Sequence, residues 1–349
     1  MEKIIEHLVS SDLKKKLLSI EKLVSGGNNQ VFKIICDDEK LLAKVYFPKG
    51  NNDKNRRLSR EFNALHFLWQ HGIRQIPEPI HADRENQIGI YEYIDGRKIN
   101  KGDIQHDDLS QAARFLGKLH GLSESSDVRQ IGIASDACLT LQDYWGSIET
   151  RHQKICQAIV SKKKYRHVAD FMETSFYPVC KIIRNRFEEI SAETTICHLS
   201  PVLSPSDFGF HNALKLKSGE ITFIDFEYFG WDDPAKMISD FFHHPAMGLS
   251  VKEKLFFLNS FITFSEIGNA LIHRLKKVYF AVGLKWCLLM LNICLPDVMD
   301  RKRFANPDLQ DAILIEEQLE KSKVKLIQLQ EEFEHSSFFL NRTWGGVPL

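Results

Sequence analysis

The sequence predicts an α+β protein of two lobes, a β-rich one over residues 1–95 and a mostly helical one over residues 96–349. Three observations carry this. Residues 19–47 hold three short apolar runs with period-two spacing, broken by a glycine-rich turn. After Gly96 the apolar spacing changes to the helical period. Within the helical part a single β-like island, residues 213–229, interrupts the pattern.

In order, EKLVS, GGNNQ and VFKII read as strand, turn and strand of a hairpin, and KLLAKVYF as a third strand. Its alternation puts Leu42, Lys44 and Tyr46 on one face and Leu41, Ala43, Val45 and Phe47 on the other. RRLSREFNALHFLWQHG has helical spacing with Leu58, Phe62, Leu65 and Trp69 as the expected buried stripe and Gly72 as the stop. Pro77 and Pro79 break the chain before a strand centred on IGIYEYI. DDLSQAARFLGKLHGL predicts an amphipathic helix with Leu109, Ala113, Leu116 and His120 on one face. Residues 141–192 and 251–335 are largely helical by pattern, and no internal repeat or low-complexity segment is evident.

Composition excludes several classes. Net charge is zero and no long basic stripe occurs, so no nucleic-acid partner is expected; SKKKYRH at 161–167 reads as a solvated helix face. The seven cysteines have no C-x-x-C or Cys/His metal spacing and read as scattered buried thiols of a reducing compartment. The N-terminus carries Glu2 and Glu6 and no apolar signal core. YFAVGLKWCLLMLNICL (279–295) is short for a bilayer span and contains Lys285 and Asn292, which makes it a core helix. A soluble, cytoplasmic protein with no membrane contact is the expectation.

The β-like island raises the chemical question. SPSDFGFHN (204–212) spells D-F-G, the letters that mark a magnesium aspartate in protein kinases, while Asp225 in FIDFEYFGWDDP is a rival. A phosphoryl-transfer site needs one carboxylate near the attacking hydroxyl, a second on magnesium, and a neutral oxygen ligand. Asn212 follows Asp207 by five residues and Asp225 by eighteen, which supplies all three in order. If Asp207 were the metal ligand, a D-x-x-x-x-N would be wanted upstream. Asp127, Asp136, Asp143 and Asp170 are the aspartates between residues 120 and 206, and none has that spacing. The D-F-G spelling is therefore read as coincidence.

This order resembles the aminoglycoside phosphotransferase and choline kinase-like family, whose pattern is H-G-D-x-x-x-x-N, then I-D-[FW]-[DE], then G-x-x-D-P-A. The chain has PSDFGFHN, IDFEYFG and GWDDPA, and the resemblance runs from about residue 22 to residue 245. It implies a protein kinase-like fold, with residues 1–95 as a nucleotide-binding lobe and residues 96–349 carrying the catalytic loop and acceptor site. It implies ATP and Mg2+ as cofactors. Asp207 would be the base, with Asn212 and Asp225 as magnesium ligands. Ser25, Gly26, Gly27 and Asn28 would form the phosphate loop, with Lys44 on the α- and β-phosphates and Glu61 holding Lys44. Adenine would meet the Glu92 carbonyl and the Ile94 N–H.

Taken alone, Gly26-Gly27 is a hairpin turn, Glu61 a surface glutamate, and Lys44 either a snorkelling edge residue or a charge needing a partner. His120 and His198 read as core histidines; for His211, inside the loop, a structural bond and a substrate contact stand side by side. Glu227 is placed to touch a second metal or the acceptor.

Two departures from the pattern stand out. Pro205-Ser206 replaces the His-Gly before the base, and Met237 occupies the place of an aspartate after D-P-A, with Asp240 one turn later as the substitute brace. The expected function is transfer of the ATP γ-phosphate to a hydroxyl of a small molecule, a sugar or amino alcohol ahead of an aminoglycoside. The alternatives are a protein-hydroxyl kinase, disfavoured by the lack of an A-P-E-like segment after Asp225, and a nucleotide-binding pseudokinase scaffold.

Overall fold

A computed structural model of the chain describes residues 1–23, 29–47, 56–125, 128, 130–193 and 200–334. The chain divides into two compact units: Met1–Ile99 with Asn212–Phe229 and Met299–Leu309, and Asn100–His211 with Gly230–Val298 and the residues from Gln310 onward.

The first unit is built on a five-stranded antiparallel sheet. Its strands are β1 (Leu17–Leu23), β2 (Gln30–Cys36), β3 (Lys40–Val45), β4 (Pro79–Asp83) and β5 (Ile88–Glu92), in the order β1-β2-β3-β5-β4. Alternation sorts the faces: Phe32, Ile34, Cys36, Leu41, Ala43, Val45, Ile88 and Ile90 form one core, which α1 (Glu2–His7) joins through Ile5. Phe304, from a distant segment, packs on the same core, and its carbonyl accepts from Gln30 Nε2 at 2.9 Å. β4 was not anticipated as a strand. It starts at Pro79 on the sheet edge, where a missing N–H leaves no ladder bond unmade.

Helix α2 (Arg56–Gln70) differs from expectation in its buried face. Leu58, Glu61, Ala64, Leu65 and Leu68 are buried, whereas Phe62 and Trp69 are part-exposed. The helix is turned so that Glu61 sits mid-stripe; Phe62 lies against Tyr91 and His66, and Trp69 lies under the Arg74 guanidinium. Gly72, at φ +78°, ends the turn that follows, as its position suggested.

A second, three-stranded sheet in this unit runs β6 (Arg97–Lys98), β8 (Ala213–Lys215), β9 (Ile221–Phe223). Gly219 at φ +93° makes the β8–β9 turn, which the Leu216 N–H closes on the Glu220 carbonyl.

The second unit is helical: α3 (His106–Leu122), α4 (Leu141–Ile159), α5 (Arg166–Phe171), α6 (Tyr177–Glu193), α7 (Pro234–His243), α8 (Val251–Ser265), α9 (Asn269–Leu291) and α11 (Asp311–Glu334); α10 (Pro296–Ala305) straddles the division. On α3 the buried face is Leu109, Ala112, Ala113, Leu116 and Leu119, with His120 at its margin and half-buried, because the helix packs Phe115 inward as well. α9 is, among the described residues, the helix long and apolar enough to cross a membrane, and 72% of its apolar window is buried in the protein. Lys285 within it reaches the Asp136 carbonyl at 3.2 Å and its carboxylate at 3.7 Å, which compensates the buried charge.

A two-stranded ribbon, β7 (Val202–Ser204) with β10 (Gly230–Asp232), leads into the 205–212 loop. A Cβ on Gly230 would lie 2.4 Å from the Gly132 carbonyl oxygen, so the glycine of GWDDPA allows this strand to bond to residues 132–134.

Candidate active site

In the first unit Lys44 lies on the face of β3 opposite the core, where its Nζ meets Glu61 Oε2 at 2.7 Å and Asp225 Oδ1 at 2.6 Å. Both lysine and glutamate are nearly inaccessible, with side chains 10% and 4% exposed. Glu61 is bonded further on each oxygen. Tyr46, two residues along the same face as Lys44, donates to Oε2 at 2.6 Å, and the Phe226 N–H donates to Oε1 at 3.3 Å. The Tyr46 and Tyr91 hydroxyls are 2.7 Å apart. Gly89, two residues before Tyr91, leaves the room: a Cβ there would stand 2.5 Å from the tyrosine oxygen.

Asp225 follows β9 and adopts φ +69°, in the left-handed region that aspartate tolerates better than most non-glycine residues. The Ile224 N–H donates to the Asn212 carbonyl at 2.9 Å, which brings Asn212 beside the segment that bears Asp225. Glu227 is buried and takes bonds from Asn29 Nδ2 at 3.0 Å and Arg57 at 3.2 Å. One carboxylate oxygen from each of Glu61, Asp225 and Glu227 lies within 4.8 Å of the others.

Burial pushes the Asp225 carboxyl up, to about 7; Lys44 opposes this, and Glu227 and Glu61 reinforce it. For Glu227, burial also disfavours the charge, but Lys44, Arg57 and the Asn29 amide outweigh it and hold the carboxyl below its usual range. Three carboxylates are a hard-oxygen donor set, which fits a magnesium ion.

Ser25, Gly26, Gly27 and Asn28 lie outside the described residues, as does His198. Glu92 ends β5, with its N–H on the Glu78 carbonyl at 2.9 Å, and the Ile94 carbonyl accepts from Gly96 at 3.0 Å.

In the second unit Asp207 follows a tight turn in which its N–H reaches the Pro205 carbonyl at 2.9 Å. Ser206 stands at φ +70°, which explains the glycine of the family pattern at this place. Serine holds the conformation through its hydroxyl, which donates to the Ser135 carbonyl at 3.0 Å, and its N–H, which donates to Ser204 Oγ at 3.0 Å. His211 Nε2 lies 3.2 Å from Asp207 Oδ1. Its ring stacks on His244, with centroids 3.7 Å apart and planes 5° from parallel.

Asp207, His211 and His244 are close enough together to suggest a metal site. The parallel rings argue against one, because in-plane lone pairs on stacked rings run side by side and do not converge on an ion. Asp240 is buried; it pairs with Lys236, which also holds Asp232, and accepts from Trp286 Nε1 at 2.9 Å. The Asp232 carboxylate in turn accepts from the Cys138 N–H at 3.1 Å.

Sequence reasoning passed over Tyr46, Tyr91, Asn29, Arg57 and His244. For Tyr46 the signal was available, since period two had already placed it beside Lys44.

Residues 19–174 match the model of the phosphotransferase enzyme family, a segment that ends before the Asp207 loop. A search among curated proteins finds no match. Among solved structures, an ethanolamine kinase of Plasmodium vivax aligns over 94% of this chain and 89% of its own, at 17% identity and TM-score 0.62. The choline kinase LicA of Streptococcus pneumoniae aligns over 94% and 99%, at 16% identity and TM-score 0.59. A spectinomycin phosphotransferase, solved with ADP and spectinomycin, aligns over 93% and 98%, at 15% identity and TM-score 0.59.

The fold is thus the protein kinase-like α+β fold, and the relationship to aminoglycoside phosphotransferases and choline kinases read from the sequence is the one these comparisons return.

Proposed function

We propose that the chain is an ATP- and magnesium-dependent kinase of a small hydroxylated molecule. The observation that carries this is the simultaneous contact of Lys44 with Glu61 and Asp225, at 2.7 and 2.6 Å, within a group of three carboxylates. A buried lysine fixed between a helix glutamate and an aspartate beside Asn212 is the arrangement that phosphoryl transfer needs for positioning and charge neutralisation.

Lys44 binds the α- and β-phosphates and Glu61 keeps its ammonium aimed. Ser25, Gly26, Gly27 and Asn28 offer backbone N–H groups to the phosphates. The Glu92 carbonyl and Ile94 N–H take the adenine edge. Asn212 and Asp225 hold magnesium, which when bound offsets charge on the transferring phosphoryl group. Asp207 orients the acceptor hydroxyl and accepts its proton as the oxygen bonds to the γ-phosphorus and ADP leaves.

The acceptor we assign is neutral or weakly charged, a sugar or amino alcohol. A polycation would call for an acidic surface. Residues 251–349 hold 13 Lys+Arg against 12 Asp+Glu, and residues 141–196 hold 9 against 7, so neither helical segment has an acidic excess. The test is magnesium-dependent ADP release from ATP with choline, ethanolamine, neutral sugars and kanamycin-type polycations as acceptors. Turnover with the alcohols supports the reading. Efficient, salt-sensitive turnover of the polycations refutes the acceptor assignment alone. Nucleotide binding with no turnover on any acceptor favours a scaffold, and turnover on serine peptides favours a protein kinase.

A further inference from the structure

We propose that His211 is a positioning residue for Asp207, holding one oxygen of that carboxylate through an Nε2–H while an aromatic stack holds the imidazole. The inference rests on the reading of Asp207 as the base.

The proton is placed by elimination. His211 Nδ1 is buried and meets no hydrogen-bond partner among the described residues. A buried N–H without an acceptor is rarer and more costly than an unmet lone pair, so the ring hydrogen belongs on Nε2. There it points at Asp207 Oδ1, 3.2 Å away.

The ring itself has little freedom. A Cβ on Gly209 would come within 2.8 Å of His211 Nδ1, so the loop backbone closes one side. His244 covers a face at 3.7 Å and is itself fixed: its Nδ1 accepts from the Ala246 N–H at 3.2 Å, and its ring meets Trp286 edge-on at 4.7 Å. The column ends on a charge, because Trp286 Nε1 donates to Asp240 at 2.9 Å. A side chain locked by packing and a directed bond is what fixes a catalytic group in its productive rotamer. In this chain the family's histidine before the base is replaced by Pro205, which has neither a ring nitrogen nor an N–H, and His211 supplies a donor from the other side of Asp207.

Two measurements decide this. In imidazole 15N spectra of the whole chain at neutral pH, His211 should show the Nε2–H tautomer, and Asp207→Asn should shift its Nε2 signal while Lys44→Met leaves it in place. An Nδ1–H tautomer overturns the proposal. In turnover of Mg-ATP with the best alcohol of the acceptor panel, His211→Phe keeps a ring for the stack and loses the donor. It should lower kcat about 10- to 100-fold, in keeping with a small misplacement of a reacting group, and leave the KM for ATP unchanged. His211→Gln, which restores an N–H, should recover most of the loss. In an Asp207→Asn background His211→Phe should have no further effect, since it acts through that carboxylate. An equal further loss in that background, or no rescue by glutamine, overturns the inference. Full activity of Asp207→Asn would instead overturn the assignment of the base, and the spectra would still report whether the His211–Asp207 bond exists.

Discussion

Lys44 Nζ lies 2.6 Å from the Asp225 carboxylate, slightly closer than to Glu61, its partner on the helix. One cation therefore serves both the residue that aims it and a proposed magnesium ligand. Asp225→Ala should abolish magnesium-nucleotide binding. Asp207→Asn should keep nucleotide binding and slow transfer roughly 10²–10⁴-fold, the usual worth of a positioned base. Nucleotide titrations with and without magnesium separate the two. Loss of metal dependence in Asp207→Asn with retention in Asp225→Ala would reverse the assignments.

Removing the cation should also be costly to the fold. Lys44→Met leaves Glu61 and Glu227 buried without it, and we expect a loss of about 3–5 kcal/mol in denaturant unfolding at neutral pH. The deficit should shrink in mild acid, where the carboxyls take up protons. Tyr46→Phe removes one donor to Glu61 and should cost about 1–3 kcal/mol, with a weaker affinity for nucleotide.

His243 and His244 are held neutral. Burial pushes His243 well below its ordinary value, and burial with the adjacent His211 pushes His244 down to about 3. The folded chain then refuses protons that the unfolded chain accepts below about pH 6.5. This stability is complete above that pH and is lost as pH falls toward the folded values. Two such groups give a slope of up to about 2.7 kcal/mol per pH unit between pH 6 and 4. The raised Asp225 carboxyl opposes this over the same range, because there the folded chain holds a proton that the unfolded chain releases. Urea midpoints should still fall as pH falls from 6 to 4, and His244→Phe should lower the measured slope by about 1.4 kcal/mol per pH unit.

Ser206 sits at φ +70°, so substitutions there should invert the usual order. Ser206→Gly relieves strain as it loses the bond to Ser135 and should be near neutral. Ser206→Ala keeps the strain and loses the bond, and should cost about 1–2 kcal/mol. Thermal midpoints with alanine at or above glycine would show that the loop is not strained there.

The sheet, the helix after it and the order of the acidic motifs were legible because each is written in local periodicity or in spacing along the chain. The pairing of Lys44 with Glu61 came from the family resemblance, since taken alone the glutamate reads as a surface residue. The stripe on α2 was misread because hydrophobicity ranks Phe62 above Glu61, whereas a buried ion pair decided which way the helix faces. β4 was hidden by Pro77 before it and Pro79 at its start, which read as chain breakers. The His211–His244 stack joins a loop to the residue after a helix, and nothing in the local pattern of either segment announces the other.

The first unit is assembled from three separated stretches of chain, and Phe304 completes a core that Phe32 and Ile34 begin. During synthesis the five strands emerge long before the residues that finish their packing, and Lys44 waits for Asp225 over some 180 positions. Sequence separation of that kind slows folding and leaves early strands exposed. An excised 1–99 fragment should accordingly fail to fold alone and should occupy chaperones, and deletion of 299–309 should harm the yield of the protein more than its distance from Lys44 along the chain suggests.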